Sequence, residues 1–264
     1  MARAAVQEAR CKKVKRGTVA VDGGRLYYEE SGCGTPVALL HGHSFDRRQW
    51  DPQLVLLEKR YRVIRFDLRG YGRSSMPDEQ QRALHAEDLL HLLDALGIAR
   101  AHLIGSSLGG FVVTDFIALF PQRALSAVMA SGDLFDVSGP TQPWTADAFA
   151  ARRASIADLR KSGLSLFRER WLEQLIANSG SGRERLRQPL WRMISEWQMW
   201  QPLHVEPRFL LGTDVYQKLS ATPFNLPVLI IRGDRETVDW HIIDLLPAAK
   251  RHVIADCGHV ANVE

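Results

Sequence analysis

Ser107 lies at the centre of Gly105-Ser106-Ser107-Leu108-Gly109, a pentapeptide preceded by the short apolar run 101–104 and followed by the helix-length apolar stretch 111–120. Strand, tight turn and helix in that order are what a serine nucleophile needs to stand exposed at the edge of a sheet. Such a turn forces its central residue into strained backbone angles, and the residues two before and two after must be tiny. Gly105 and Gly109 supply that clearance for Ser107; centring the turn on Ser106 would put Ile104 where a glycine is required. A serine hydroxyl is a weak nucleophile at neutral pH. It needs a base to take its proton, a carboxylate to hold that base in one tautomer, and N–H donors for the oxyanion that forms on the attacked carbonyl. Leu108, next after the nucleophile and at a helix start, offers one such N–H where the helix dipole adds to it.

The flanking sequence predicts elements able to hold these groups. Segments 17–21 and 26–30 flank Asp22-Gly23-Gly24, a turn signal that joins antiparallel strands. Runs 37–40, 61–66, 125–130, 227–232 and 252–255 are short and apolar, as in strands covered on both faces. Leu84, Leu89, Leu92, Leu93 and Leu96 recur at helical spacing before Gly97. The expected class is α/β, a mostly parallel sheet with helices on both faces and reactive groups at the carboxyl ends of its strands. The stretch 133–220 differs: it is helical in flavour and holds Trp144, Trp171, Trp191, Trp197 and Trp200, five of the seven tryptophans. It reads as a helical lid inserted in a core made of 1–132 and 221–264. The tryptophans pack the lid's own interior, with one or two lining an apolar substrate pocket.

Bulk properties narrow the class. The 264 residues carry 45% hydrophobic and 24% charged side chains and a net charge of +4, ordinary for a soluble globular protein. The basic run Arg10 to Arg16 has no interleaved aromatics, so it reads as a solvated tail and no nucleic-acid partner is expected. Cys11, Cys33 and Cys257 have no paired spacing, which argues against a disulfide framework or a zinc site and for a reducing compartment. With no signal-peptide core and no bilayer-length apolar run, a cytoplasmic location is expected. No Gly-x-Gly-x-x-Gly fingerprint, phosphate loop or metal-ligand cluster occurs, so neither cofactor nor metal is expected.

Five pieces in fixed order resemble the α/β-hydrolase superfamily: His41-Gly42-His43-Ser44, the loop Asp67-Leu68-Arg69-Gly70-Tyr71-Gly72-Arg73-Ser74, the pentapeptide at Ser107, Arg232-Gly233-Asp234-Arg235-Glu236, and Cys257-Gly258-His259. The closest likeness is to its small esterases, enol-lactonases and cofactor-free haloperoxidases. The resemblance implies Ser107 as nucleophile and His259, in the loop after the last strand, as base. It puts the acid three residues after Gly233, at Glu236, where most relatives carry Asp; Asp234, Asp239 and Asp133 compete. It assigns the second oxyanion donor to the N–H of His43, beside that of Leu108, and gives His41 and the Asp67 loop structural roles.

The expected activity is hydrolysis of carboxylic esters or lactones through an acyl-enzyme, on a small and apolar acyl substrate, rising as His259 loses its proton. Alternatives with the same triad are acyl transfer or carbon–carbon bond hydrolysis, and outside catalysis a ligand receptor that kept the fold. A serine nucleophile disfavours epoxide opening and halide displacement, which use Asp. Relatives usually continue beyond the catalytic His with a helix over one sheet face, so truncation or a homo-oligomer is expected to account for the short tail ending at Glu264.

Overall fold

A computed structural model describes residues 14–134, 146–204, 214–221, 225–236 and 241–264. Eight strands form one sheet: β1 (Lys15–Val21), β2 (Gly24–Ser31), β3 (Thr35–Leu40), β4 (Tyr61–Phe66), β5 (Ala101–Ser106), β6 (Ala124–Ala130), β7 (Val228–Gly233) and β8 (Lys250–Ile254). Their order is β1-β2-β4-β3-β5-β6-β7-β8, and only β2 runs against the rest. The Asp22-Gly23 turn closes the β1–β2 hairpin as its residues predict.

The helices of the described residues are α1 (Asp51–Leu57), α2 (His85–Ala95), α3 (Leu108–Leu119), α4 (Ala146–Ser162), α5 (Leu164–Ala177), α6 (Arg183–Ile194), α7 (Trp200–Leu203), α8 (Val215–Ala221) and α9 (His241–Leu245). Alternation along the strands sorts their side chains onto two faces. Ala38, Leu40, Ile64, Phe66, Leu103 and Met129 face one way and pack with α2, α3, α8 and α9 into the main core. Val37, Leu39 and Val63 face the other way and pack with Trp50 and with Leu54 and Leu57 of α1. The α/β class expected from sequence is therefore the one observed. The second face is thinly covered beyond α1: its strand residues Ile104, Val128, Leu229 and Ile231 are only half-buried.

Charges buried in the core are paired, as burial demands. Arg69 meets Asp88 at 2.6 Å and Arg232 meets Asp133 at 3.0 Å. Asp67 accepts hydrogen bonds from the backbone of Arg47 and Arg73 and from the Arg47 guanidinium, which ties the loop after β4 to the loop after β3. Cys257 is a free, buried thiol, whereas Cys33 is disulfide-bonded with its partner outside the described residues. The expectation of three unpaired thiols is corrected on that point, and the argument for a reducing compartment loses its footing. Among the described residues, no helix is long and apolar enough to cross a membrane.

Candidate active site

The turn between β5 and α3 lifts Ser107 out of the sheet at φ 50° and ψ −116°, a backbone state that costs a residue with a side chain about 1–3 kcal/mol. Two hydrogen bonds hold it: Ser107 N–H donates to the Ala130 carbonyl at 2.8 Å, and Gly110 N–H donates to the Ser107 carbonyl at 2.7 Å. The glycine argument has a direct structural reason. A Cβ on Gly105 would lie 2.1 Å from the Gly109 carbonyl oxygen, and one on Gly109 would lie 2.2 Å from that of Leu40. The turn and the adjoining strands cannot close with any larger residue at either site.

Ser107 Oγ lies 2.8 Å from His259 Nε2, and His259 Nδ1 lies 3.0 Å from Glu236 Oε2. The three come from the ends of β5, β7 and β8, which all point the same way. Since Glu236 accepts at Nδ1, the imidazole carries its proton there and presents a lone pair to the hydroxyl. The other oxygen of Glu236 accepts from Ser131 Oγ at 2.6 Å and from the Gly233 N–H at 3.1 Å. Burial alone would raise the Glu236 carboxyl, but hydrogen bonds from His259 and Ser131 outweigh it and hold the group below its ordinary value.

Two of the competing acids are engaged elsewhere. Asp133 accepts from Arg232 and from the N–H of Ile242 at 2.8 Å. Asp234 accepts from the N–H groups of Asp256 and Cys257, so it shapes the loop that carries His259. Asp239 lies outside the described residues. Ser131 was not legible beforehand; its signal is its place directly after β6, in the sheet next to β7.

His41 is buried with both nitrogens occupied, Nδ1 on the Gly42 carbonyl at 2.8 Å and Nε2 accepting from the Leu68 N–H at 2.9 Å. His43 stands nearer the site, its Nδ1 2.7 Å from the Tyr71 hydroxyl and its ring edge-on to Trp197 and Trp171 at 4.9 and 5.8 Å. Burial pushes His43 down to about 4, so its imidazole is neutral in ordinary buffers. Among the described residues no hydrogen bond takes up the backbone N–H of His43 or of Leu108.

The segment between β6 and β7 reaches this edge of the sheet. Trp171 Nε1 donates to Ser44 Oγ at 2.7 Å, and Gln198 and Gln201 donate to the carbonyls of Gly72 and Gly70. Trp191 instead packs beside the small cluster of α5 and α6, Trp200 stacks on His204, and Trp144 lies outside the described residues.

A family model described as the alpha/beta hydrolase fold matches residues 35–264. The chain belongs to the α/β-hydrolase family. It is 26% identical to 3-oxoadipate enol-lactonase 1 of Acinetobacter baylyi over 248 residues, which cover 92% of this chain and 89% of that protein. It is 30% identical to a putative non-heme chloroperoxidase of Synechocystis over 220 residues, 81% and 78% of the two chains. Among solved structures, a thermophilic esterase from Thermogutta terrifontis superposes with a TM-score of 0.70 at 26% identity, covering 95% of this chain and 93% of that one. The likeness to esterases, enol-lactonases and haloperoxidases drawn from the motifs matches these relatives.

Proposed function

We propose that the protein hydrolyses carboxylic esters or lactones by a Ser-His-Glu mechanism. The observation that carries this reading is the file of Ser107, His259 and Glu236 at 2.8 and 3.0 Å. Ser107 Oγ attacks the substrate carbonyl while His259 Nε2 takes its proton. Glu236 holds the imidazolium that forms and is not itself protonated. The tetrahedral oxyanion sits between the backbone N–H groups of Leu108 and His43, each worth about 3–4 kcal/mol in the transition state. His259 then passes the proton to the leaving alcohol, and water repeats the cycle on the acyl-enzyme with His259 as base. For a lactone the leaving alcohol stays tethered, so the product is a hydroxy acid.

The helical segment 133–220 serves as a lid over a core of 1–132 and 221–264. The contacts of Trp171 and Trp197 with His43 support this and make an apolar roof for the acyl chain. A fluorophosphonate probe and a panel of esters of graded acyl length test the proposal. Wild type should be labelled on Ser107 and show a chain-length cutoff, and Ser107→Ala should lose both labelling and turnover. An intact wild-type protein that resists the probe and turns over no ester or lactone overturns it.

A further inference from the structure

Gln49 lies outside the triad and is 1% exposed, and all three polar positions of its amide are used. Its Oε1 accepts from the Gly42 N–H at 2.7 Å; its Nε2 donates to Ser106 Oγ at 3.1 Å and to Asn262 Oδ1 at 2.9 Å. The three partners belong to three separate segments of the site. Gly42 precedes His43, Ser106 precedes Ser107, and Asn262 follows His259 by three residues. Asn262 answers by donating from Nδ2 to the Gln49 carbonyl at 3.2 Å and accepting from Ser106 Oγ at 3.2 Å, while its own carbonyl accepts from Gln53.

We propose that Gln49 is a positioning residue that, together with the His41 imidazole, aims the oxyanion donor of His43 and that seats the loop of His259. This rests on the catalytic reading given above. The backbone at Gly42 runs against the nucleophile, since a Cβ there would lie 3.3 Å from Ser107 Cβ. A glycine in that place has no side chain to fix its two peptide planes. Gln49 fixes the plane before it through the Gly42 N–H, and the His41 imidazole fixes the plane after it through the Gly42 carbonyl. The second plane is the one whose N–H belongs to His43. A primary amide is the group that offers one acceptor and two donors at set angles; leucine has the size and none of the polarity.

The experiment compares Gln49→Leu, Gln49→Glu and Asn262→Ala with wild type for kcat and KM on a chromogenic short-chain ester, rate of phosphonylation of Ser107, and thermal midpoint. Deleting an oxyanion donor costs about 100- to 1000-fold in kcat. Misaiming one should cost Gln49→Leu about 10- to 100-fold in kcat, with KM within about twofold and phosphonylation slowed in parallel. Gln49→Glu should recover part of the loss, because its carboxyl still accepts from the Gly42 N–H although neither donation of the amide survives. A purely structural amide would lower the thermal midpoint of both variants without separating kcat from KM. A folded Gln49→Leu with kcat within twofold of wild type overturns the proposal, as does a Gln49→Glu no better than Gln49→Leu. Should Gln49→Leu not fold, Asn262→Ala decides: a kcat decline of about fivefold or more upholds the proposal, and an unchanged kcat overturns it. A wild type that neither reacts with the probe nor hydrolyses the ester marks failure of the catalytic reading instead.

Discussion

At the residue scale, Glu236, the acid of the proposed triad, carries one methylene more than an aspartate would. The added reach leaves a carboxylate held on three sides, by His259, by Ser131 and by the Gly233 N–H. Ser131→Ala removes one of these without touching the reacting atoms. It should lower kcat by about three- to tenfold, with a small change in KM. Glu236→Gln replaces the acceptor facing Nδ1–H with a group that can favour the wrong tautomer, and the expected loss is about 1000-fold or more in kcat. Steady-state kinetics on the two variants check both numbers; equal losses would show that Ser131 does more than steady the carboxylate.

At the scale of elements, the loop after β8 is the part that must be rigid for the imidazole to stay in register. Asp234 holds its N–H groups at Asp256 and Cys257, and Glu264 accepts from the Gly258 N–H at 2.7 Å. Cys257 is enclosed there; burial, reinforced by the nearby Glu264 carboxylate, pushes its thiol up to about 12. Iodoacetamide should therefore leave Cys257 unmodified in the native protein and alkylate it once denaturant opens the loop, as read by peptide mapping. The same loop shows how far the sequence was legible. His259 could be singled out because a glycine-flanked histidine after a final apolar strand is a pattern, and Ser107 because its two glycines have a steric reason. Every strand with a continuous apolar run was likewise readable, though ends shifted by a few residues. Helix α1 was not, because its apolar side chains are half-buried or exposed and leave no clean periodic stripe. Gln49 and Asn262 were invisible for a different reason: a buried amide is recognised by its partners, and those lie far off in the chain.

At the scale of the whole molecule, several groups make the fold sensitive to acid. Burial, with the Arg69 charge adding to it, pushes His85 down to about 3, and burial holds His43 at about 4, both from an ordinary 6.5. The unfolded chain thus takes up these protons first, and stability is lost as pH falls from about 6.5 toward the folded values. Glu29 adds a second window. Burial alone would raise it, but the charges and hydrogen bonds of Arg47 and Arg65 bring it down to about 2 from 4.5. Its contribution is complete above 4.5 and declines between 4.5 and 2. Urea midpoints measured from pH 7 to 3 should fall in both windows, and Glu29→Gln should flatten the lower one.

The helical excursion between β6 and β7 also sets an order of events when the chain is renatured. The hydroxyl belongs to a stretch whose partners β3 and β6 are near in sequence, whereas the imidazole arrives only after β7 and β8 have crossed that excursion to dock. Long-range pairings close late because of the entropy they must overcome. After dilution from denaturant, recovery of helical circular dichroism should precede the return of ester turnover, and the lag between the two signals times the arrival of the last two strands.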